Sequence, residues 1–166
     1  MDIKDNHYLN AAEGWLKLGL PEEASKELEK VPQALKRNAK YLAVTWQIFS
    51  ARQLWEDALL IANRWTQRFP EDPDAWFSLA TSLENIPTPH GGVEAAWDIL
   101  RSKVEVFPED DRYPIKLASY AITMQETRKA NEWLTLAVKQ LNKAKLAHLL
   151  SEDQELLKLV EDLPFD

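Results

Sequence analysis

Cysteine is absent from this chain of 166 residues, which excludes disulfides, thiolate metal sites and a thiol nucleophile. Glycine is nearly as scarce, with 4 in the whole sequence, too few for a set of hairpin turns or a phosphate-cradling loop. No Gly-x-Ser-x-Gly elbow occurs, and the 27 carboxylates show no spacing that singles out an acid–base pair. Catalysis is therefore not expected, and neither is a cofactor. The three histidines, His7, His90 and His148, do not converge with other ligand types as a metal requires, so no metal site is expected. Basic runs are missing, and the formal charge of −7 would repel a phosphate backbone, so nucleic acid is not an expected partner. No apolar run approaches the ~20 residues that span a bilayer, and the opening MDIKDNHY has no signal-peptide core. The expectation is a protein of the cytoplasm without membrane contact.

What is present is repetition. Phe69-Pro70-Glu71-Asp72 returns as Phe107-Pro108-Glu109-Asp110, 38 residues later. Four short segments, Pro21–Ala24, Trp55–Ala58, Val93–Ala96 and Thr127–Ala130, each end on an alanine. Those alanines stand 34, 38 and 34 residues apart. One four-residue insertion reconciles both 38-residue steps with a period of 34, and Thr88-Pro89-His90-Gly91 is its natural place. Within each period the apolar residues recur at helical spacing, as in Leu42, Trp46 and Phe49 or Leu59, Ala62, Trp65 and Phe69. Pro70, Pro73 and Pro108 punctuate those runs, since proline fits the first helical turn but not the interior. The pattern predicts helix pairs at about 6–18 and 21–31, 36–52 and 55–69, 74–86 and 92–107, and 112–125 and 127–141.

A helix–turn–helix unit of this length resembles the tetratricopeptide repeat (TPR), and particular residues carry the likeness. The first unit has Tyr8, Ala12, Trp15, Gly19, Ala24 and Leu28; the third has Trp76, Leu79, Ala80, Leu83, Ala96 and Pro108. The fourth has Leu117, Ala118, Ala121, Ala130, Leu134 and Ala137. The second departs from the family pattern, with Trp46 where a small residue is usual and Ala62 where a large one is. The two changes would compensate if they faced each other. The resemblance covers about 5–144 and implies one all-α domain over 1–166. It would be a right-handed solenoid of about four helix pairs (units near 5–38, 39–72, 73–110 and 111–144). The remainder, 145–166, has the form of a capping helix. Ser151 and Gln154 fit a capping box, and Leu156, Leu157, Leu159, Val160 and Leu163 an apolar stripe.

Six of the seven tryptophans, Trp15, Trp46, Trp55, Trp65, Trp76 and Trp133, fall on packing positions of the repeat, whereas Trp97 is expected partly exposed on the convex side. The TPR resemblance implies a concave groove lined by the first helix of each unit, where the family receives peptides or helices. By helical phase the groove residues are Leu9, Glu13 and Leu16, then Ala43, Gln47 and Ser50, then Phe77, Thr81 and Glu84. Arg112, Ile115, Lys116, Ser119 and Ile122 complete the set. In some members this groove clamps a C-terminal carboxylate; Arg112 and Lys116 match that clamp, but Ala43, Gln47 and Ser78 replace its Lys and Asn positions. The function implied is a protein–protein scaffold or adaptor. Alternatives are a secretion-type chaperone holding an unfolded client, and a self-association module forming a homodimer. The loop 87–92 is read as a tolerated insertion, or else as a second contact surface.

Overall fold

Pro21 and Pro73 and the side-chain acceptors Asn38, Asp72 and Asp153 mark helix starts, and this phasing sets the architecture. The computed structural model describes residues 6–141, 145, 146, 148, 150 and 153–162. In chain order the helices are α1 (His7–Lys17), α2 (Pro21–Glu29), a 3-10 turn (Gln33–Leu35), α3 (Ala39–Ala51), α4 (Trp55–Arg68) and α5 (Pro73–Glu84). They continue with α6 (Val93–Lys103), α7 (Arg112–Thr123), α8 (Thr127–Leu141) and α9 (Gln154–Asp162). Among the described residues there is no strand, and the fold class is all-α, built from neighbouring antiparallel helices. Helix α6 stops four residues short of its expected end. Val106 and Phe107 both bond to the carbonyl of Lys103 in a tight turn, because the residue before Pro108 is steered away from helical backbone.

The repeated Phe-Pro-Glu-Asp tetrapeptide is one local structure made twice. The Asp72 N–H donates to the Phe69 carbonyl at 3.0 Å, and the Asp110 N–H to the Phe107 carbonyl at 3.1 Å. Each aspartate then accepts a backbone N–H two residues on, from Asp74 at 3.0 Å and from Arg112 at 3.2 Å, satisfying a donor that the new helix leaves open. Asp72 also accepts the indole N–H of the buried Trp65 at 2.9 Å, tying the end of α4 to the start of α5.

The turns inside the helix pairs repeat as well. Gly19, Gln53 and Gln125 all have left-handed backbone, with φ of 72°, 56° and 61°. The next N–H in each case reaches back five residues: Leu20 to Trp15, Leu54 to Phe49, and Glu126 to Ala121, at 3.0, 2.9 and 2.8 Å. This is the Schellman closure of a helix C-terminus. The insertion leaves its own signature. Gly92 donates to the Leu83 carbonyl at 2.8 Å, nine residues back instead of five, so the extra four residues bulge out while the closing bond is kept.

The chain divides into two compact units, Met1–Gly92 and Val93–Asp166. The third expected pair is split between them: α5 closes the first unit and α6 opens the second. In the first unit, Leu9, Ala12, Ala24, Leu28, Val31, Val44 and Ile48 form one core across α1–α3. Leu42, Ile61, Trp65 and Ala75 form another across α3–α5. In the second unit, Ala118, Leu134 and Ala137 pack with Leu146, Leu150, Leu156 and Val160, so α9 covers the end of α7 and α8. The four frame alanines, Ala24, Ala58, Ala96 and Ala130, are all fully buried, as close approach of paired helices demands.

Three expectations change. Trp97 is buried, edge-on to Trp133 at 6.1 Å with the Lys129 ammonium 5.6 Å from its ring, so it belongs to the interior of the second unit. Trp46 packs against the core of Leu42, Ile61, Trp65 and Ala75 and directs its indole N–H to the Ser82 hydroxyl of α5 at 2.9 Å, a partner beyond its own helix pair. The cap of α9 is Asp153, whose carboxylate accepts the Leu156 N–H at 3.1 Å; Ser151 and Leu163 lie outside the described residues.

Candidate partner-binding surface

An α-helix that is buried on one side returns to the other every three to four residues, and the first helices of the repeat show this plainly. On α5, Ala75, Ser78, Leu79 and Ser82 are buried, whereas Phe77, Thr81 and Glu84 form a half-exposed stripe. On α3, Leu42, Thr45 and Ile48 are buried; Gln47 is exposed and Ala43 and Ser50 are half-exposed. These two helices pack together in the first unit, and the Trp46–Ser82 bond links them.

Helix α1 departs from the expected groove lining. Leu9 is fully buried in the α1–α3 core. It stands three residues before Ala12, hence on the same stripe, and Ala12 is itself core. Leu16 packs against that core from its edge. Glu13 is held by Lys40 of α3 at 3.0 Å, and the same ammonium donates to the Asn10 side chain at 2.6 Å. The polar part of this stripe thus braces α1 against α3.

In the second unit, α7 carries the remaining candidates. Arg112 is exposed, and its guanidinium grips the Asp110 carboxylate with two bonds, Nε to Oδ1 at 2.8 Å and Nη2 to Oδ2 at 2.5 Å. That fork is engaged by the turn preceding its own helix. The Lys116 ammonium lies 5.1 Å from the Tyr120 ring centroid. Ser119 is half-exposed, and its carbonyl accepts the Thr123 hydroxyl at 3.2 Å. Ile115 and Ile122 pack against the α7–α9 core while remaining partly exposed, so both serve stability as well as surface.

Sequence reasoning missed a cavity in the first unit. A space of about 800 Å³ opens between the α2–α3 connection, α3 and α4. Lys36, Arg37, Arg64 and Arg68 line it, and no carboxylate does. Tyr41, Leu42, Phe49 and Ile61 supply its apolar wall. Two signals were present, the Lys36-Arg37 dipeptide and the i, i+4 pair Arg64 and Arg68. Neither amounts to a basic run, and only the fold gathers them.

Helix pairs closed by repeated Schellman turns, seated on buried alanines and ended by a covering helix define a helical-repeat fold of the tetratricopeptide type. Solved structures agree. Over 98% of this chain and 95% of the other, the fold is similar to a double mutant of MamA from RS-1, with a TM-score of 0.69 and 19% identity. A crystal structure of MamA gives 0.66 and 18% over 97% and 90% of the two chains, and MamA from MSR-1 gives 0.63 and 14% over 97% of each. No family model matches the sequence, and no curated protein does.

Proposed function

We propose that this chain is a protein–protein interaction scaffold that receives a peptide or helix of its partner on the outward stripes of its first helices. The observation that carries this reading is the Phe77–Thr81–Glu84 stripe of α5, partly exposed while Ala75, Ser78, Leu79 and Ser82 of the same helix are buried, with Gln47 exposed on the adjoining α3. An aromatic side chain at the surface of a rigid helix pair offers contact area at low entropic cost. Glu13 lies on the same phase of α1 in the first unit; the second unit, taken by itself, carries that phase on α7 with Ile115, Lys116, Ser119 and Ile122, while the Arg112 fork stays engaged by Asp110. Leu9 has no part in it. The likeness to MamA is one of fold; it fits a scaffold and names no partner.

The test compares wild type with a Phe77→Ser and Gln47→Arg double variant as baits in extract of the source cell. Gln47 is exposed and Phe77 half-exposed, so the variant's thermal stability should stay within about 1 kcal/mol of wild type. Loss of the captured protein supports the reading. Retention of every captured protein by a folded variant overturns it.

A further inference from the structure

The cationic cavity lies on the far side of α3 from the stripe above. Ala43, Gln47 and Ser50 mark one face of that helix, and Tyr41, Thr45 and Phe49 project from the opposite one, as the 100° step per residue requires. Partner docking on the first-helix stripe therefore does not account for the cavity.

Its charge runs against the chain as a whole. The sequence carries 27 acidic and 20 basic residues, yet four lining residues are cations and none is an anion. None of the four is ion-paired with a described residue, whereas Lys26, Lys30, Lys40, Arg52 and Lys129 all have carboxylate partners. Arg64 and Arg68 stand one turn apart on α4, so their guanidinium groups face the same side, and Arg68 lies 6.0 Å from the Phe69 ring centroid. The Thr45 hydroxyl is committed to the Tyr41 carbonyl at 2.7 Å. Concentrated like charge with no internal counter-charge raises the local potential and calls for an anion.

We propose that this cavity binds an acidic segment of a partner protein, with carboxylates meeting Arg64, Arg68, Lys36 and Arg37 and a bulky apolar side chain resting on Tyr41 and Phe49. The volume decides between anions. A single phosphate fills only a small part of about 800 Å³ and leaves the aromatic wall unused. A nucleic-acid backbone needs a cationic track, and the four cations of this cavity form a single cluster on a chain with charge −7. A peptide uses both features, with Gln33 and Gln67 in the lining able to pair with its backbone.

The experiment titrates the full chain against a fluorescein-labelled peptide of glutamates flanking a central Phe-Leu pair, read by anisotropy. Control peptides replace Glu by Gln, or Phe-Leu by Gly-Gly. The expected result is binding that weakens about tenfold for either control, and again about tenfold for the Arg64→Glu and Arg68→Glu double variant, as loss and reversal of exposed charge pairs dictates. Raising salt should weaken it further. Because Arg64 and Arg68 are exposed, the double variant should keep the wild-type melt. Should it not, Lys36→Ala with Arg37→Ala supplies the same comparison. Equal affinity for the Glu and Gln peptides, or unchanged binding by either folded variant, overturns the proposal. So does tighter binding of a single-stranded oligothymidine, or displacement of the peptide by equimolar pyrophosphate.

Discussion

Replacing Gly91 by alanine tests whether the insertion is accommodated through a preserved helix closure. A Cβ built on Gly91 lies 2.6 Å from the Leu83 carbonyl oxygen, 2.7 Å from that of Ile86 and 2.8 Å from the Ile86 Cβ. Carbon atoms in favourable contact sit about 3.5–4.0 Å apart, so all three approaches are repulsive. Two of the obstructing atoms are backbone and the third is fixed to it, so no rotamer change relieves the overlap. The loop must move, and the Gly92 N–H that bonds the same Leu83 oxygen at 2.8 Å moves with it. Overpacking costs about 1–3 kcal/mol and the strained hydrogen bond about 1 kcal/mol, for a loss of about 2–4 kcal/mol. With a urea dependence of about 2 kcal/mol per molar, the midpoint followed by tryptophan fluorescence should fall by at least about 1 M. Gly14 is the control. It sits within α1 with nothing inside 4 Å of its would-be Cβ, so Gly14→Ala should stabilise by about 0.5–1 kcal/mol. If Gly91→Ala unfolded at the wild-type midpoint, or ranked with Gly14→Ala, the close approach and the retained closure would both be refuted.

Gln53→Gly and Gln125→Gly should each stabilise by about 0.5–1 kcal/mol, because a left-handed backbone strains an L side chain; an unchanged or lowered thermal midpoint would contradict the assigned φ of 56° and 61°. Asp72→Ala removes the cap of α5 and the acceptor of the buried Trp65 indole together, and should cost about 2–3 kcal/mol in chemical denaturation. Leu156→Ala opens a void where α9 covers the α7–α8 end and should cost about 2–4 kcal/mol; a melt within about 1 °C of wild type would show that α9 does not complete that core.

The frame was legible in the sequence because it rests on residues with few substitutes. An alanine at the tightest crossing, an aspartate capping the helix that follows Phe-Pro-Glu, and a small set of turn positions each answer a local demand, so counting from Ala24 to Ala130 recovers the helix pairs. The surface was less legible, for a physical reason. Helical phase reports which side of its own helix a residue occupies, but not what packs there. Leu9 shares its phase with Ala12 and α3 covers both, whereas Phe77 remains half-exposed on α5. Ile115 and Ile122 lean on a core completed by α9, more than thirty residues further along the chain. The cationic cavity was hidden differently: Lys36 and Arg64 are 28 residues apart, and only the path from the α2–α3 connection to α4 brings them to one wall.

Why glycine sits where it does follows from the same accounting of backbone groups. Three of the turns close with a five-residue bond, and two of them place glutamine in the left-handed position that Gly19 fills in the first. The repeat therefore tolerates a strained glutamine wherever the closing loop is short and the hydrogen bonds over-determine its shape. At the insertion the loop is longer, and the demand changes from dihedral freedom to room. Gly91 needs no left-handed backbone, but it passes close beneath the carbonyls of Leu83 and Ile86, while Gly92 takes a φ of 105° to deliver its N–H to Leu83. Half of the chain's 4 glycines are thus committed to returning a four-residue bulge to the closing bond of the repeat. A loop kept only as slack would not require that steric fit, since longer loops cost little closure entropy. The fit instead holds α5's last turn in the geometry of the other helix ends, which keeps the Phe77–Thr81–Glu84 stripe on a rigid helix.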